Sequence, residues 1–179
     1  MHISILGAGH AGTAVAADLS LRGHEVTLIK TSHAMHDENF NYLLGNGSRV
    51  CLIEEGKEQW ANIAHITRDL SCLSESKIVI MYIQSNYHEA LIRRIRPYLR
   101  GGQILLLNPG YLSTAYVLKH CLYIDLTIVE AQSSFIDCRI KEPGTVKVTF
   151  RNVRNPLGIY PANRREKSET ILNQLGFPF

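Results

Sequence analysis

The length, composition and charge of the chain describe a single mildly basic globular domain. It has 179 residues, of which 45% are hydrophobic and 20% are charged, and its formal net charge is +3, so it is long enough for one domain with a substantial core and short for two. Because no aromatic residues alternate with its basic clusters and no apolar stretch approaches the roughly 20 residues that cross a bilayer, we expect no nucleic-acid partner, no membrane partner and a cytoplasmic location.

Strand and helix patterns alternate along the first half of the chain. The run HISIL is apolar and rich in β-branched residues, and a glycine ends it, which indicates a buried strand. Small and apolar residues then recur at helical spacing up to a glycine that suits a C-terminal cap. In chain order we predict a strand at 2–6, a helix at 10–22 capped by Gly23, a strand at 25–29, a weak helix at 36–47, a hairpin around 55–57 and a short strand carrying Ile66.

The alternation continues in the second half. The run KIVIMYI consists of branched apolar residues throughout, as in a parallel strand covered on both faces. In chain order we predict this strand at 77–83, a helix at 87–99 with a capping box of Asn86 and Glu89, a strand at 103–107, a helix at 112–121, a strand at 124–131, antiparallel strands at 144–150 and 151–161, and a helix at 163–175. The pattern predicts a doubly wound, parallel α/β sheet of the Rossmann type, with antiparallel strands added near the C-terminus.

A glycine-rich turn, GAGHAG, follows the first strand and opens the first helix. In such a βαβ unit Gly7 permits the tight turn, Gly9 lets a pyrophosphate approach the backbone, and Gly12 lets the helix pack closely on the strand. The helix N-terminus also offers free N–H groups and the positive end of its dipole. The predicted dinucleotide-binding residues here are Gly7, Ala8, Gly9, His10, Ala11 and Gly12, and a turn without a ligand is the alternative.

The end of the second strand bears on which dinucleotide binds. An NAD site usually has an acid about 20 residues after the glycines, to accept hydrogen bonds from the ribose 2′-hydroxyl. Here that corner holds Lys30, Thr31 and Ser32, and a cation with two hydroxyls suits a 2′-phosphate. Asp37 and Glu38 lie too far along the chain to be the first choice for the acid. We therefore predict NADP as the cofactor, with NAD as the alternative.

Cysteine spacing gives no sign of a metal or of a disulfide framework. The four cysteines, at positions 51, 72, 121 and 138, form no C-x-x-C pair. This favours reduced, mostly buried thiols, and we predict no metal site.

Three segments, GAGHAG, LLLNPGYLS and VEAQSSFIDCRIKEPGTVKV, resemble the opine dehydrogenases, that is, the octopine/nopaline dehydrogenase family. Enzymes of that kind carry Asn-Pro-Gly after a buried strand, here Asn108-Pro109-Gly110. They also carry a glutamate that leads to a Cys-Arg pair, here Glu130 and Cys138-Arg139. The resemblance covers essentially the whole chain, and it implies that Asn108 and Glu130 flank the nicotinamide ribose and the substrate.

The expected fold agrees with that position. Ligands of a doubly wound sheet bind outside the carboxyl ends of its strands, which brings the loops carrying Gln84 and Asn108-Pro109-Gly110 near the nicotinamide half of the cofactor. For the tripeptide an ordinary turn is the alternative, and for Glu130 it is a strand-end carboxylate without a ligand.

The resemblance also implies an activity and a missing part. Opine dehydrogenases join the amino group of an amino acid to a 2-oxo acid and reduce the imine with NAD(P)H. In them an all-helical domain follows and supplies the catalytic histidine and the arginine that grips the substrate carboxylate. We therefore expect residues 1–179 to be the NAD(P)-binding domain alone, without catalytic residues and inactive by itself, with the amino acid and the 2-oxo acid held through the helical domain. The apolar surface on which the helical domain would dock is then exposed, and it could support a homodimer. We also expect the histidines after His10, including His88, to lie at the surface.

Two other functions remain open. A ketopantoate-reductase-like dehydrogenase would share the fold and the glycine turn, but its pattern has Asn-Gly where this chain has Asn108-Pro109-Gly110, which counts against it. A non-catalytic NAD(P)-binding module that senses cofactor or pairs with a partner would bind the dinucleotide without turnover.

Overall fold

The computed structural model describes residues 1–33 and 35–179. Strands and helices alternate through most of the chain, close to the predicted positions. Their bounds are β1 His2–Leu6, α1 His10–Leu21, β2 Glu25–Ile29, α2 Asp37–Gly45, β3 Arg49–Glu54, β4 Lys57–Asn62, β5 His65–Thr67, β6 Ile78–Met81, α3 His88–Ile95, β7 Ile104–Leu107, α4 Thr114–Cys121, β8 Thr127–Ala131, β9 Ile136–Glu142, β10 Thr145–Arg151, β11 Leu157–Tyr160 and α5 Arg165–Leu172.

The larger of two sheets confirms the predicted fold class. Within the described residues it has seven strands in the order β11-β8-β7-β6-β1-β2-β5, and all neighbours are parallel except the pair β8 and β11. The chain first builds outward from β1 through β2 and β5, and then builds on the other side of β1 through β6, β7 and β8. The strand order therefore reverses between β1 and β6, which is where ligands of doubly wound sheets bind.

A second sheet, with the strand order β4-β3-β10-β9 among the described residues, stands beside the first. The predicted hairpin around residues 55–57 is confirmed as the antiparallel pair β3 and β4. Strand β10 pairs antiparallel with β9 and parallel with β3. The sequence did not predict β9, whose side chains alternate between buried and exposed only in its first part.

The two antiparallel strands predicted near the C-terminus are confirmed, and they lie in different sheets: β11 pairs with β8, and β10 pairs with β9 through a tight turn in which Gly144 has a φ of +80°. One local prediction is wrong, because the capping box at Asn86 is absent. A 3₁₀ turn at Ser85–Tyr87 precedes α3, and no side chain caps that helix.

Helix α1 lies between the two sheets, in contact with β2 on one side and with β4 and β9 on the other. Every residue from Gly12 to Leu19 is buried, and apart from Thr13 and Asp18 all of them are glycine or apolar residues, as expected of a helix enclosed on all sides. On the opposite face of the large sheet, α3 and α4 cover a second apolar cluster that contains Leu6, Ile29 and Met81. The large sheet is thus covered on both faces.

An ion network ties α1 to the second sheet. The buried carboxylate of Asp18 accepts from Arg151 at 2.9 Å and from Arg22 at 2.8 Å. The guanidinium of Arg151 also contacts Glu54 of β3 at 2.7 Å. The helix that follows the glycine turn is therefore held to the second sheet.

All four cysteines are free thiols, and three of them, Cys51, Cys121 and Cys138, are buried. No three His, Cys, Asp or Glu side chains in residues 1–33 and 35–179 are grouped so that they could hold a metal ion. None of the helices in that part of the chain has both the length and the apolar character that crossing a membrane requires.

Candidate functional site

A cleft of about 780 Å³ opens at the carboxyl edge of the large sheet. The segments that follow β1, β2, β6 and β7 line it, and Ser134 and Arg139 add to it from before and within β9. Because it spans β1 and β6, it lies where the strand order reverses. Most of the predicted site residues line it, namely Gly7, Ala8, Gly9, His10, Ala11, Lys30, Thr31, Ser32, Gln84, Asn108 and Pro109. Gly12, Gly110 and Glu130 lie outside its lining.

The three glycines of the turn have different surroundings. Gly7 has a φ of +114°, and a Cβ there would lie 2.1 Å from the Tyr82 carbonyl oxygen. A Cβ on Gly12 would lie 1.8 Å from the carbonyl oxygen of Gly7, so this glycine allows the helix to pack on the strand. A Cβ on Gly9 would meet only the His36 ring, at 3.4 Å. Gly7 and Gly12 are thus required by packing, whereas Gly9 leaves the floor of the cleft open.

The N-terminus of α1 faces this open floor. Its N-cap residue is Gly9, no side chain caps the helix, and no acidic residue stands in its first turn among the described residues. The N–H groups of that turn therefore keep their hydrogen-bonding capacity, and together with the helix dipole they favour an anion.

His10 connects the glycine turn to the second sheet. Its Nδ1 accepts a hydrogen bond from the backbone N–H of Ile140 at 3.0 Å, which leaves the ring proton of the neutral form on Nε2. The His36 ring lies edge-on to it with centroids 4.4 Å apart. Burial first, and then the neighbouring charges of His36 and Arg139, lower the pKa of His10. Both effects favour the neutral form of the ring.

Lys30 is buried, and its ammonium group is held by the segment before α2. Nζ donates to the Met35 carbonyl at 2.7 Å and lies 3.2 Å from the Asp37 carboxylate. The same carboxylate contacts Arg68 at 3.0 Å, and this hydrogen bond, followed by the contact with Lys30, lowers the pKa of Asp37. Asp37, which lies too far along the sequence to be the first choice for a ribose-binding acid, is therefore next to Lys30, the predicted phosphate-binding cation.

The structure adds basic residues that sequence reasoning missed. Arg94 of α3 lines the cleft and donates to the Thr31 carbonyl at 2.9 Å. Arg139 reaches the cleft from β9. The neighbouring arginines in the sequence were a signal for Arg94. Arg139 was noted only as part of the pair Cys138-Arg139, and nothing in the sequence indicates that it lies near the glycine turn. Among the described residues, no aspartate or glutamate lines the cleft.

Asn108 lies at the end of β7 with its side chain completely buried. In the described part of the chain, neither its amide nitrogen nor its amide oxygen has a hydrogen-bond partner. A buried amide without partners costs about 1–3 kcal/mol. Because Asn108 lines the cleft, a ligand with both a donor and an acceptor would satisfy it.

Glu130 and Gly110 shape the loop that follows Asn108. The Glu130 carboxylate accepts from the backbone N–H of Thr114 at 2.5 Å and from that of Leu112 at 3.1 Å. A Cβ on Gly110 would lie 2.5 Å from the Glu130 Cβ. Tyr111 and Leu112 have φ values of 49° and 63°, a strained conformation for such residues that is typical of functional loops. In this structure Glu130 therefore holds the loop from behind.

His88 is fully buried, so its expected surface position is wrong. Its Nδ1 lies 2.7 Å from the Ser113 hydroxyl, and its Nε2 lies 3.1 Å from the Ile83 carbonyl. The sequence did contain a signal, because His88 shares the i, i+3, i+4, i+7 spacing of the buried Leu91, Ile92 and Ile95.

Comparison with known proteins gives the family. The model of the ketopantoate reductase PanE/ApbA family matches residues 3–160. The chain belongs to this family. The tripeptide Asn108-Pro109-Gly110 lies inside the matched region, so it does not exclude this family.

The resemblance to opine dehydrogenases is also confirmed. An opine dehydrogenase of Arthrobacter sp. (strain 1C) is 28% identical to this chain. The alignment is 181 residues long and covers 97% of this chain and 47% of that protein. Octopine dehydrogenase in complex with NADH and agmatine superposes with a TM-score of 0.79 at 17% identity, over 98% of this chain and 46% of that one. A PanE/ApbA family ketopantoate reductase from Ralstonia eutropha JMP134 superposes with a TM-score of 0.71 at 20% identity, over 99% of this chain and 55% of that one. The chain thus spans about half the length of these relatives.

Proposed function

We propose that residues 1–179 are the NAD(P)-binding domain of an oxidoreductase, and that the cleft binds NADPH. The proposal rests on one observation above all: the cleft at the strand-order reversal is lined by Lys30, Arg94 and Arg139, and by no carboxylate among the described residues. A cleft of one charge sign selects a ligand of the opposite sign, and a dinucleotide with a third phosphate is strongly anionic.

The residues present fit the two ends of such a cofactor. In the middle of the cofactor, the open backbone at Gly9 and the N-terminus of α1 would hold the pyrophosphate. At the adenosine end, Lys30, Thr31 and Ser32 would hold the 2′-phosphate. At the other end the unpartnered amide of Asn108 would bind the nicotinamide ribose, with Gln84 and Pro109 beside it. Bound there, the cofactor supplies a hydride. This chain's own residues bind and orient it.

Direct titration tests this binding proposal. NADPH and NADH are titrated into the protein by calorimetry, and NADPH is expected to bind about tenfold or more tightly, because hydrogen bonds to a charged group contribute about 1.5–3 kcal/mol. Failure of both dinucleotides to bind would overturn the proposal. Tighter binding of NADH would overturn the assignment of the 2′-phosphate to Lys30.

Two adjacent arginines provide a matched pair of variants. Arg94 lines the cleft, whereas Arg93, also exposed and on the same helix, does not. Arg94→Gln should weaken NADPH binding about two- to fivefold, as expected for an exposed ion pair, and Arg93→Gln should leave it unchanged. Equal effects of the two variants would mean that only the overall charge matters.

For the reaction we propose the opine type, in which an amino acid and a 2-oxo acid are joined and reduced. The motif resemblance and the similarity to the Arthrobacter opine dehydrogenase over 97% of this chain support it. The family match favours a second candidate, reduction of a 2-oxo acid without an amine, as in ketopantoate reductase. Since the chain spans about half of its relatives, we propose that the catalytic groups lie outside these residues and that the chain alone is inactive.

Loss of NADPH absorbance in the presence of 2-oxo acids, with and without amino acids, separates the candidates when it is measured on the enzyme that contains this domain together with its catalytic part. Consumption that requires both substrates supports the opine type. Consumption with the 2-oxo acid alone supports the ketopantoate reductase type. Any hydride transfer by the 179 residues alone would show that the chain does contain catalytic groups.

A further inference from the structure

We propose that His88 and Ser113 are positioning residues, which lock together the loops after β6 and β7 so that Asn108 is presented to the nicotinamide half of the cofactor. This inference rests on the proposed cofactor site. Neither residue lines the cleft, so both would act through the loops that do.

The hydrogen bonds of His88 determine its state. A carbonyl can only accept, so Nε2 carries the proton that is donated to Ile83. In the neutral ring Nδ1 must then accept, and the Ser113 hydroxyl donates to it across 2.7 Å. Both nitrogens are thus used, one for each loop, and the ring is completely buried between them.

Each of the two loops meets the cleft immediately beside these bonds. Ile83 lines the cleft, and so do its neighbours Tyr82 and Gln84. Ser113 closes the turn that follows Asn108, because its backbone N–H donates to the Gly110 carbonyl at 3.0 Å. The imidazole therefore bridges the two loops that we assign to the nicotinamide half.

The second loop needs such a restraint. It contains the left-handed residues Tyr111 and Leu112, which are 69% and 83% exposed and so receive little stabilisation from packing. Backbone strain of this kind persists only where surrounding contacts hold it. Glu130 supplies contacts from β8 behind the loop, and the Ser113–His88 bond supplies one from α3.

The role predicts a loss of affinity confined to one half of the cofactor. Ser113→Ala should weaken NADPH binding about two- to tenfold, the range for one hydrogen bond, and should leave the affinity for adenosine 2′,5′-bisphosphate unchanged, because that probe lacks the nicotinamide half. Ser168→Ala, a buried serine on α5, is the matched control and should affect neither. An equal loss for both ligands, or no loss for NADPH, would overturn the inference.

Conservative replacement of the histidine gives a second, independent readout. Asparagine at position 88 keeps an acceptor near the Nδ1 position, whereas leucine keeps none. We expect His88→Asn to retain more NADPH affinity than His88→Leu, and we expect Ser113→Ala and His88→Leu to speed amide hydrogen exchange at residues 110–114. Equal affinity of the two position-88 variants would contradict the role.

The exchange measurement needs no ligand, so the two proposals can fail separately. If the wild-type chain binds no NADPH, the proposed function fails whatever the exchange rates are. If NADPH binds but exchange at residues 110–114 is unchanged by Ser113→Ala, the positioning role fails alone.

Discussion

The ammonium group of Lys30 and the carboxylate of Asp37 lie 3.2 Å apart at the adenosine end of the proposed site. The cation thus stands at the end of β2, and the acid stands in the first turn of α2, where Arg68 shares it. The charge available to a 2′-phosphate is therefore set by both elements and not by the residue after β2 alone.

Neutralising this acid should favour the phosphorylated cofactor. Asp37→Asn removes the negative charge that offsets Lys30 and Arg68, and we expect about two- to fivefold tighter NADPH binding with unchanged NADH binding, measured by calorimetry. Glu38→Gln is the matched control, since it removes the same charge from an exposed neighbour. A selective loss of NADH affinity in Asp37→Asn would instead mean that Asp37 accepts from a ribose hydroxyl, as in an NAD site.

Alanine substitutions in the glycine turn should separate binding from stability. In Gly12→Ala the new Cβ would overlap the Gly7 carbonyl oxygen, and overpacking of this kind costs about 1–3 kcal/mol. That corresponds to a loss of roughly 2–12 °C in Tm by thermal unfolding. In Gly9→Ala the Cβ has room beside His36, so we expect near-native Tm and at least about tenfold weaker NADPH binding. The opposite pattern would contradict the assignment of the cleft floor to the pyrophosphate.

Replacing Glu130 tests whether it binds ligand or only holds the loop. Glu130→Gln keeps one acceptor oxygen but presents an NH₂ group to a backbone N–H, so amide exchange at Leu112 and Thr114 should become faster. Because the carboxylate does not line the cleft and acts only through the loop, we expect NADPH affinity to fall by no more than it does in Ser113→Ala. Glu58→Gln on β4 is the exposed control. A loss of NADPH affinity larger than that of Ser113→Ala would indicate direct contact with the cofactor.

The free energy of unfolding should fall as the pH drops below 7. Burial lowers the pKa of His88 from its usual value of 6.5, and the pKa values of His10, His24 and His36 shift in the same direction. Below pH 6.5 the unfolded chain therefore binds more protons than the folded one, so stability is complete above that pH and is lost as the pH falls towards the folded pKa values. Urea unfolding at pH 7.5, 6.5 and 5.5 measures this.

His88→Asn removes one of the four groups and should flatten this pH dependence. Stability that is constant or rises from pH 7.5 to 5.5 would contradict the buried, neutral state of His88. The carboxyls of Asp37, Asp69 and Glu89, whose pKa values are also lowered, act in the same direction only at more acidic pH.

Local patterns were enough for the elements and for the first half of the site. HISIL followed by GAGHAG specifies a strand, a turn and a helix within a dozen residues, because periodicity and glycine backbone freedom act over short distances. The two-residue turn at Glu55 and Gly56 likewise specified the hairpin β3–β4. Strand β9 was missed because it alternates too weakly to be recognised alone.

The sequence by itself determined the parallel α/β sheet, the glycine turn and the identity of the cation after β2. Only the tertiary structure decided what surrounds them. Ile140 donates to His10, and Asp37 pairs with Lys30. Arg139 of the second sheet lines the cleft, and His88 is buried between two loops. These contacts join residues up to 130 positions apart, and sequence spacing carries no information about them, because they depend on how the sheets and helices pack around α1.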